Sequence, residues 1–332
     1  MPANLTADFL KARERFQGAS TDEEKLDALQ EMLVTIPKHK GTEKMRADIK
    51  RRIAKLKEQG QKSKKGRSSG PESIDREGAG QVVLIGPPNT GKSSLLAYLT
   101  NAKPNIADYP FSSTLPVPGM MAYQDIAIQI IDLPPISAEY SESWVYNMVR
   151  NADLAIIVVA AADDGDSKED LSAAAAQVIE QLALRHTLLV RKRSDKTNWR
   201  TVDVPALIVL NKSDLIEERY VAEAVDELSS LLPASAVSTV SGMGMDKLSE
   251  TIFSALNILR VYTKLPGKEP DLTAPYTLPV GSVVLDVVNA VHRELVVRLK
   301  FVRIWGSGKF DGQKIPTDHV LQDGDIVEIH CL

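Results

Sequence analysis

Residues 81–96 read Gln-Val-Val-Leu-Ile-Gly-Pro-Pro-Asn-Thr-Gly-Lys-Ser-Ser-Leu-Leu, an order that few folds can accommodate. Four consecutive apolar residues, Val82 to Ile85, predict a buried strand, and Leu95-Leu96-Ala97 predict a helix. Between them Gly86-Pro87-Pro88-Asn89-Thr90-Gly91-Lys92-Ser93 has the spacing of a phosphate-cradling loop, which Ser94 carries into the helix. Gly86 and Gly91 free the backbone to turn several N–H groups toward one anion, and the helix adds its positive end. In such a loop Lys92 reaches the β- and γ-phosphates, and the Ser93 hydroxyl ligates Mg²⁺. The strand before and the helix after argue against an incidental Gly/Pro turn.

The pattern that follows is strand, helix, strand, an open α/β sheet. Strands are expected at 81–85, 126–131, 154–160 and 206–210, with a last one near 234–238. Their near-continuous apolar runs suit a parallel sheet covered on both faces. An Ala-rich helix is expected at about 168–184 and another at 245–258. The polar stretch 191–200 reads either as an excursion or as a β-hairpin. Beyond 260 the order becomes β-β-α-β-β: Val261-Tyr-Thr, Tyr276-Thr-Leu, a helix at 282–292 capped by Ser282, Leu299–Trp305 and Asp325–His330. That is a small α+β unit of β-grasp type. The expected organisation is a basic helical hairpin at 1–60, a flexible linker at 61–80, a P-loop domain at 81–260 and a β-grasp domain at 261–332.

Composition narrows the class. A single cysteine, Cys331, excludes an internal disulfide framework. No apolar run is long enough for a membrane span and no signal-peptide core is present, so a reducing cytoplasm is the expected setting. The net charge of −4 hides an asymmetry: residues 38–67 carry thirteen Lys and Arg against Glu43, Asp48 and Glu58, leaving −14 for the rest. One or two short amphipathic helices are expected at 5–36, with Leu26, Leu29, Leu33 and Ile36 in register, and a further one at 42–59 capped by Thr42. So basic a segment suits a polyanion, or is a solvated helix face. Few aromatic residues interleave it, which argues against base stacking there.

Three further stretches bear on the phosphate loop. Asn211-Lys212-Ser213-Asp214 follows the strand at 206–210; an Asp there accepts two N–H groups from guanine that adenine cannot offer, so the wrong base leaves buried polar groups unpaired. Asp132, ending Ile128–Ile131, stands where a carboxylate holds Mg²⁺ through water. The run continues Leu133-Pro134-Pro135-Ile136, where a Gly N–H would normally touch the γ-phosphate and a Gln would orient water; proline has no N–H and isoleucine cannot orient water. Tyr109–Gly119 is rich in hydroxyls, and Ser113 and Thr114 are both candidates to close on the metal. Ser238-Thr239-Val240, after the last strand, offers backbone support to the guanine O6.

Taken in this order, the motifs resemble those of the Obg/DRG group (developmentally regulated GTP-binding proteins). Asn89 in the P-loop, Tyr109-Pro-Phe-Ser-Ser followed by Gly119-Met, the basic Lys38-His-Lys-Gly-Thr-Glu segment, and Arg303-Ile-Trp-Gly with Asp323-Gly-Asp-Ile-Val-Glu-Ile carry the likeness. The last of these is similar to the group's C-terminal TGS domain, a ubiquitin-like β-grasp. The resemblance implies binding of GTP and GDP, slow Mg²⁺-dependent hydrolysis of GTP by Lys92, Ser93, Asp132, Asn211 and Asp214, and Ser113 as the switch hydroxyl. It implies K⁺ near Asn89, and a ribosome, rRNA or tRNA partner reached through 38–67 and the TGS domain. Pro135 departs from the group's glycine, and the span from Asp132 to Asn211 is too short for the extra domain of eukaryotic members.

Overall fold

Strand β1 (Gln81–Ile85) runs through the middle of a seven-stranded sheet, and Val82, Val83, Leu84 and Ile85 are fully buried. The structure is a computed structural model describing residues 28–29, 31–33, 35–36, 74–100, 115–136, 142–161, 171–193 and 200–331. Successive side chains of a strand point to opposite faces. Val83 and Ile85 therefore pack with helices Ser143–Asn151, Leu171–Ala183 and Glu218–Leu231 on one side. Val82 and Leu84 pack with helices Lys92–Leu99 (α1) and Met245–Leu256 on the other. Each such side chain gains about 1.5–3 kcal/mol on full burial, so the apolar run stabilises only a strand with both faces covered.

The sheet order is β2 (Val117–Tyr123), β3 (Ile126–Asp132), β1, β4 (Leu154–Ala160), β6 (Val202–Asn211) and β5 (Thr187–Val190), with β7 (Ala234–Ala236) also paired to β6. All pairs are parallel except β2 with β3. Three expectations change. The hydroxyl-rich loop was drawn too long, because 117–119 already belong to β2. Gly119 sits there against Thr100, whose Oγ1 would lie 2.5 Å from an added Cβ, so the close approach demands glycine. The strands on either side of 191–200 do not form a hairpin with each other: β5 and β6 run parallel, Thr187 opposite Val202, and a parallel pair cannot be joined by a tight turn, while residues 194–199 lie outside the described residues. The linker is also shorter than 61–80, for Gly78 bridges to Ile128 and the Asp75 carbonyl accepts from the Gln129 side chain at 2.9 Å.

The C-terminal unit is a five-stranded sheet ordered β11 (Gln313–Ile315), β10 (Leu299–Trp305), β12 (Asp325–Cys331), β8 (Ile258–Lys264) and β9 (Asp271–Pro279). Its first and last strands lie side by side and parallel, with the other pairs antiparallel. Val284, Val287 and Val288 of the helix Val284–Val291 cover one face, against Leu259, Val261, Val302, Ile304 and Val327. Ser282 does not cap this helix as expected; the Asp286 carboxylate does, accepting from the Val283 N–H at 2.8 Å. Extended backbone at His292 ends the helix where expected, and the His292 ring accepts from the Glu294 N–H at 3.2 Å to start the short helix Arg293–Arg298.

The two sheets are pinned together at the β2–β3 turn. Arg260 of β8 donates to Asp125 at 2.7 Å, to Asp323 at 2.7 Å and to the Gln124 side chain, while the Tyr262 hydroxyl also meets Asp125. The bonds to Asp323 and then to Asp125 hold the guanidinium's pKa above its ordinary value. In the N-terminal unit the described residues of 28–36 include helix, with Ala28, Leu29, Met32 and Ile36 buried at helical spacing. The rest of the expected hairpin, Thr42 and the basic segment 38–67 lie outside the described residues.

Candidate nucleotide site

Parallel strands end at one edge of a sheet, and the expected site residues gather at that edge. Gly86 follows β1, Asp132 ends β3, Asn211 ends β6 and Ser238 lies two residues beyond β7. Strand β1 is flanked by β3 and β4, so the connections diverge on either side of it, and ligands bind at such a point in open α/β sheets.

The loop's backbone explains its residues. Gly86 has φ +141°, and an added Cβ would lie 2.3 Å from the Val158 carbonyl oxygen. Gly91 has φ +85°, with Asn211 Nδ2 only 2.3 Å from where a Cβ would stand. Asn89 also lies in the left-handed region, at φ 61°, a conformation asparagine tolerates better than most residues. That local demand is sufficient reason for an asparagine at 89. Pro87 and Pro88 shape the loop without offering N–H groups, whereas the first turn of α1 leaves those of Lys92, Ser93 and Ser94 without helical partners.

Lys92 is 7% exposed, and its ammonium donates to the carbonyls of Gly86 at 3.1 Å and Pro87 at 2.8 Å. Burial lowers its pKa to about 8, with the Asp132 charge opposing the shift. Asp132 is 1% exposed; one carboxylate oxygen accepts from the Ser93 hydroxyl and the other, Oδ1, has no partner among the described residues. Burial raises its pKa, while the Ser93 bond and the Lys92 charge pull it down. A buried carboxylate oxygen without a partner is costly. An alcohol and a carboxylate beside it form an oxygen set that fits a hard cation such as Mg²⁺.

Asn211 ties the end of β6 to the Gly86–Ser93 loop. Its Nδ2 donates to the Thr90 carbonyl at 3.0 Å, and its Oδ1 is buried without a partner. Lys212 takes a left-handed conformation at φ 58°, and Asp214 stands exposed in the single turn Ser213–Leu215. Ser238 is fully buried and its Oγ accepts from the N–H of Val240 at 3.2 Å and of Ser241 at 3.0 Å, so the Val240 donor is already engaged. Thr239 is half-buried, and the Val240 side chain is exposed. Ser213 was missed as a participant. The Ser213 hydroxyl donates to the Val237 carbonyl at 2.7 Å and holds the two base-side loops together. A hydroxyl in the variable position of Asn-Lys-Ser-Asp was the available signal.

Beyond Asp132, the Leu133 N–H donates to the Leu84 carbonyl at 3.2 Å and Ile136 is buried among Leu133, Val145 and Val149. Ile136 fills the core. Ser113 and Thr114 lie outside the described residues. No helix among the described residues is long and apolar enough to cross a membrane.

Residues 81–212 match the 50S ribosome-binding GTPase family and residues 259–331 match the TGS domain. A GTP-binding protein of Methanocaldococcus jannaschii is 28% identical, covering 92% of each chain. The developmentally-regulated GTP-binding protein 1 of Xenopus laevis is also 28% identical, over 85% of this chain and 91% of its own. The YchF GTPase structure from Schizosaccharomyces pombe shares the fold at TM-score 0.54 and 13% identity, over 77% of this chain and 99% of its own. The resemblance carried by the motifs thus extends over both sheets: the chain carries a GTPase domain and a C-terminal TGS domain, and over most of its length it is similar to the developmentally regulated GTP-binding proteins.

Proposed function

We propose that this GTP-binding protein hydrolyses GTP slowly in the cytoplasm, as a GTPase acting at the ribosome or on rRNA or tRNA. The observation that carries the chemistry is the cluster of Lys92, Ser93 and Asp132, with an unpartnered carboxylate oxygen beside a buried ammonium. Lys92 and the amides of residues 89–94 neutralise the phosphates. Ser93 and Asp132 hold Mg²⁺, joined by Ser113 or Thr114, and the ion offsets charge on the transferred phosphoryl group. Asp214 reads the guanine edge, Asn211 and Lys212 support it, and residues 238–240 line its far side. Asn89 is the candidate contact for K⁺. The basic segment 38–67 and the TGS domain face the RNA.

The test is a thermal-shift titration with GTP, GDP and ATP, because a ligand that binds only the folded state stabilises it by mass action. Guanine nucleotides are expected to raise the midpoint; equal protection by ATP would sink the base assignment. Hydrolysis rates in KCl and NaCl test Asn89, and equal turnover removes K⁺ from the scheme. Co-sedimentation with ribosomes, with and without residues 1–70, tests the partner.

A second reading has an observation of its own. Ile136 is spent in the core and Pro134-Pro135 lack N–H groups, so the usual water-positioning and γ-phosphate contacts have no supplier there. In that reading the protein is a nucleotide-gated RNA-binding scaffold with little hydrolysis. Single-turnover phosphate release separates the two.

A further inference from the structure

The β2–β3 hairpin touches both the nucleotide site and the TGS domain. At one end Val117 stands opposite Asp132, whose carboxylate accepts from Ser93, and Ser113 and Thr114 lie just before Val117 in sequence. At the other end the turn at Gln124 and Asp125 is gripped by β8. Strand β3 runs from Ile126 to Asp132, and at about 3.3 Å per residue it separates the two ends by roughly 20 Å. Strand β2 is the outer strand of its sheet, whereas β1, β4 and β6 at the site have a neighbour on each side. A strand held from one side shifts at smaller cost than one held from both.

The grip on the turn is made of several contacts. Arg260, its side chain 12% exposed, donates to one Asp125 oxygen at 2.7 Å and to the Gln124 side chain, and the Tyr262 hydroxyl donates to the other Asp125 oxygen. Tyr123, the last residue of β2, stacks on Phe253 of the helix Met245–Leu256 with centroids 5.0 Å apart. The Arg260 guanidinium lies 5.2 Å from that same Phe253 ring. Asp323 holds the guanidinium from within the TGS domain at 2.7 Å. Between that helix and β8 the chain is the single residue Asn257, at φ 52°, so no long linker absorbs a movement of the hairpin.

We propose that this hairpin couples the TGS domain to the metal end of the nucleotide site, with Arg260 as a positioning residue that acts through β2 and β3. The link presumes the GTP reading above. Coupling of this kind is reciprocal. If a triphosphate at Asp132 favours one setting of the hairpin, a TGS domain that holds this setting favours the triphosphate by the same factor. A diphosphate lacks the γ-phosphate that shares the metal with Asp132, and so draws less on the hairpin. Whatever engages the TGS domain then changes which nucleotide is held.

The test is calorimetric titration of the full chain with GDP and with a non-hydrolysable GTP analogue, both with Mg²⁺. Arg260→Gln is expected to weaken the analogue while leaving GDP nearly as before, changing the ratio of the two affinities about 5-fold or more. Tyr262→Phe removes one bond to Asp125 and should move the ratio the same way by about 2-fold or more, the scale of one hydrogen bond. Asp323→Asn removes a bond of the same guanidinium that stays within the TGS domain, so its ratio should remain that of the wild type. Should Arg260→Gln fail to fold by circular dichroism, Tyr262→Phe decides, since it deletes one hydroxyl from a half-buried ring. An unchanged ratio in the deciding variant, or equal losses for both nucleotides, leaves a purely structural joint and overturns the coupling. The same ratio change in Asp323→Asn places the effect in a general loosening of the TGS domain and overturns the route through the hairpin. A wild-type chain that binds neither nucleotide overturns the GTP reading and the coupling with it.

Discussion

The phosphate end of the G domain and the open face of the TGS sheet both gather cations, and they hold them in opposite ways. At the first, Lys92 is buried against two carbonyls and a carboxylate, and burial depresses its pKa. At the second, Arg303 and Lys314 stand in solvent opposite one another. A buried charge must be paired by a ligand or another group, so its removal alters the site discontinuously. An exposed charge costs the fold little and acts through a salt-screened field. The first arrangement suits one small anion of fixed geometry, and the second leaves its cations to solvent.

That contrast breaks most readily at Lys92. Lys92→Ala is expected to take phosphate release to background and to weaken GTP by at least 100-fold, roughly 3 kcal/mol, the scale of deleting one partner of a buried charge pair. An unchanged turnover would remove Lys92 from the chemistry. Arg260→Gln comes next, cutting the link between the sheets. Loss of a mostly buried cation bonded to two carboxylates is expected to cost about 2–4 kcal/mol in denaturant unfolding. A double-mutant cycle with Asp125→Asn should show coupling, and additive effects would mean the two residues act apart.

Gly91→Ala is expected to cost about 1–3 kcal/mol, because the added methyl needs both a left-handed backbone and the space held by Asn211. Gly267→Ala, equally left-handed but with nothing within 4 Å, isolates the backbone share, about 1–2 kcal/mol. Equal losses at the two sites would show that Asn211 is free to move. The pH dependence follows from Lys92. Its pKa in the nucleotide-free protein is about 8 and rises when phosphate charge arrives, so binding takes up a proton above pH 8 and GTP affinity falls as pH rises from there. Calorimetry at pH 8.5 in buffers of different ionisation enthalpy reads that proton, and no buffer dependence would place the shift elsewhere. The smallest effect belongs to Lys314→Glu, which replaces a like-charge cross-strand pair with an opposite one. It should stabilise the TGS domain by about 0.2–1 kcal/mol, and a loss of stability would deny the strain.

Much of this was legible in the chain. Strands 81–85 and 154–160 and the strand 299–305 are found at the residues expected. A fully buried parallel strand announces itself as an unbroken apolar run between turn residues. Strand β2, with its Pro and Gly, and the three-residue β11 carry no such run and were missed. Their pairing is supplied by neighbours distant in sequence. Ser282 failed as a cap because Asp286, one turn inside the helix, satisfies the first N–H.

The sequence by itself determined the phosphate loop, because Gly86, Gly91 and Asn89 meet backbone conformations that few other residues adopt. It also determined the β-grasp at the C-terminus. Only the tertiary structure decided that Asn211 binds the Thr90 carbonyl, that Ile136 is buried in the core, that Arg260 pins the second sheet to the first, and that Phe301 and His330 stack beside Arg303 and Lys314. The reason is one of range. Backbone angles and apolar periodicity are set by residues a few positions apart, whereas partnership between side chains a hundred positions apart exists only once the sheets have brought them together.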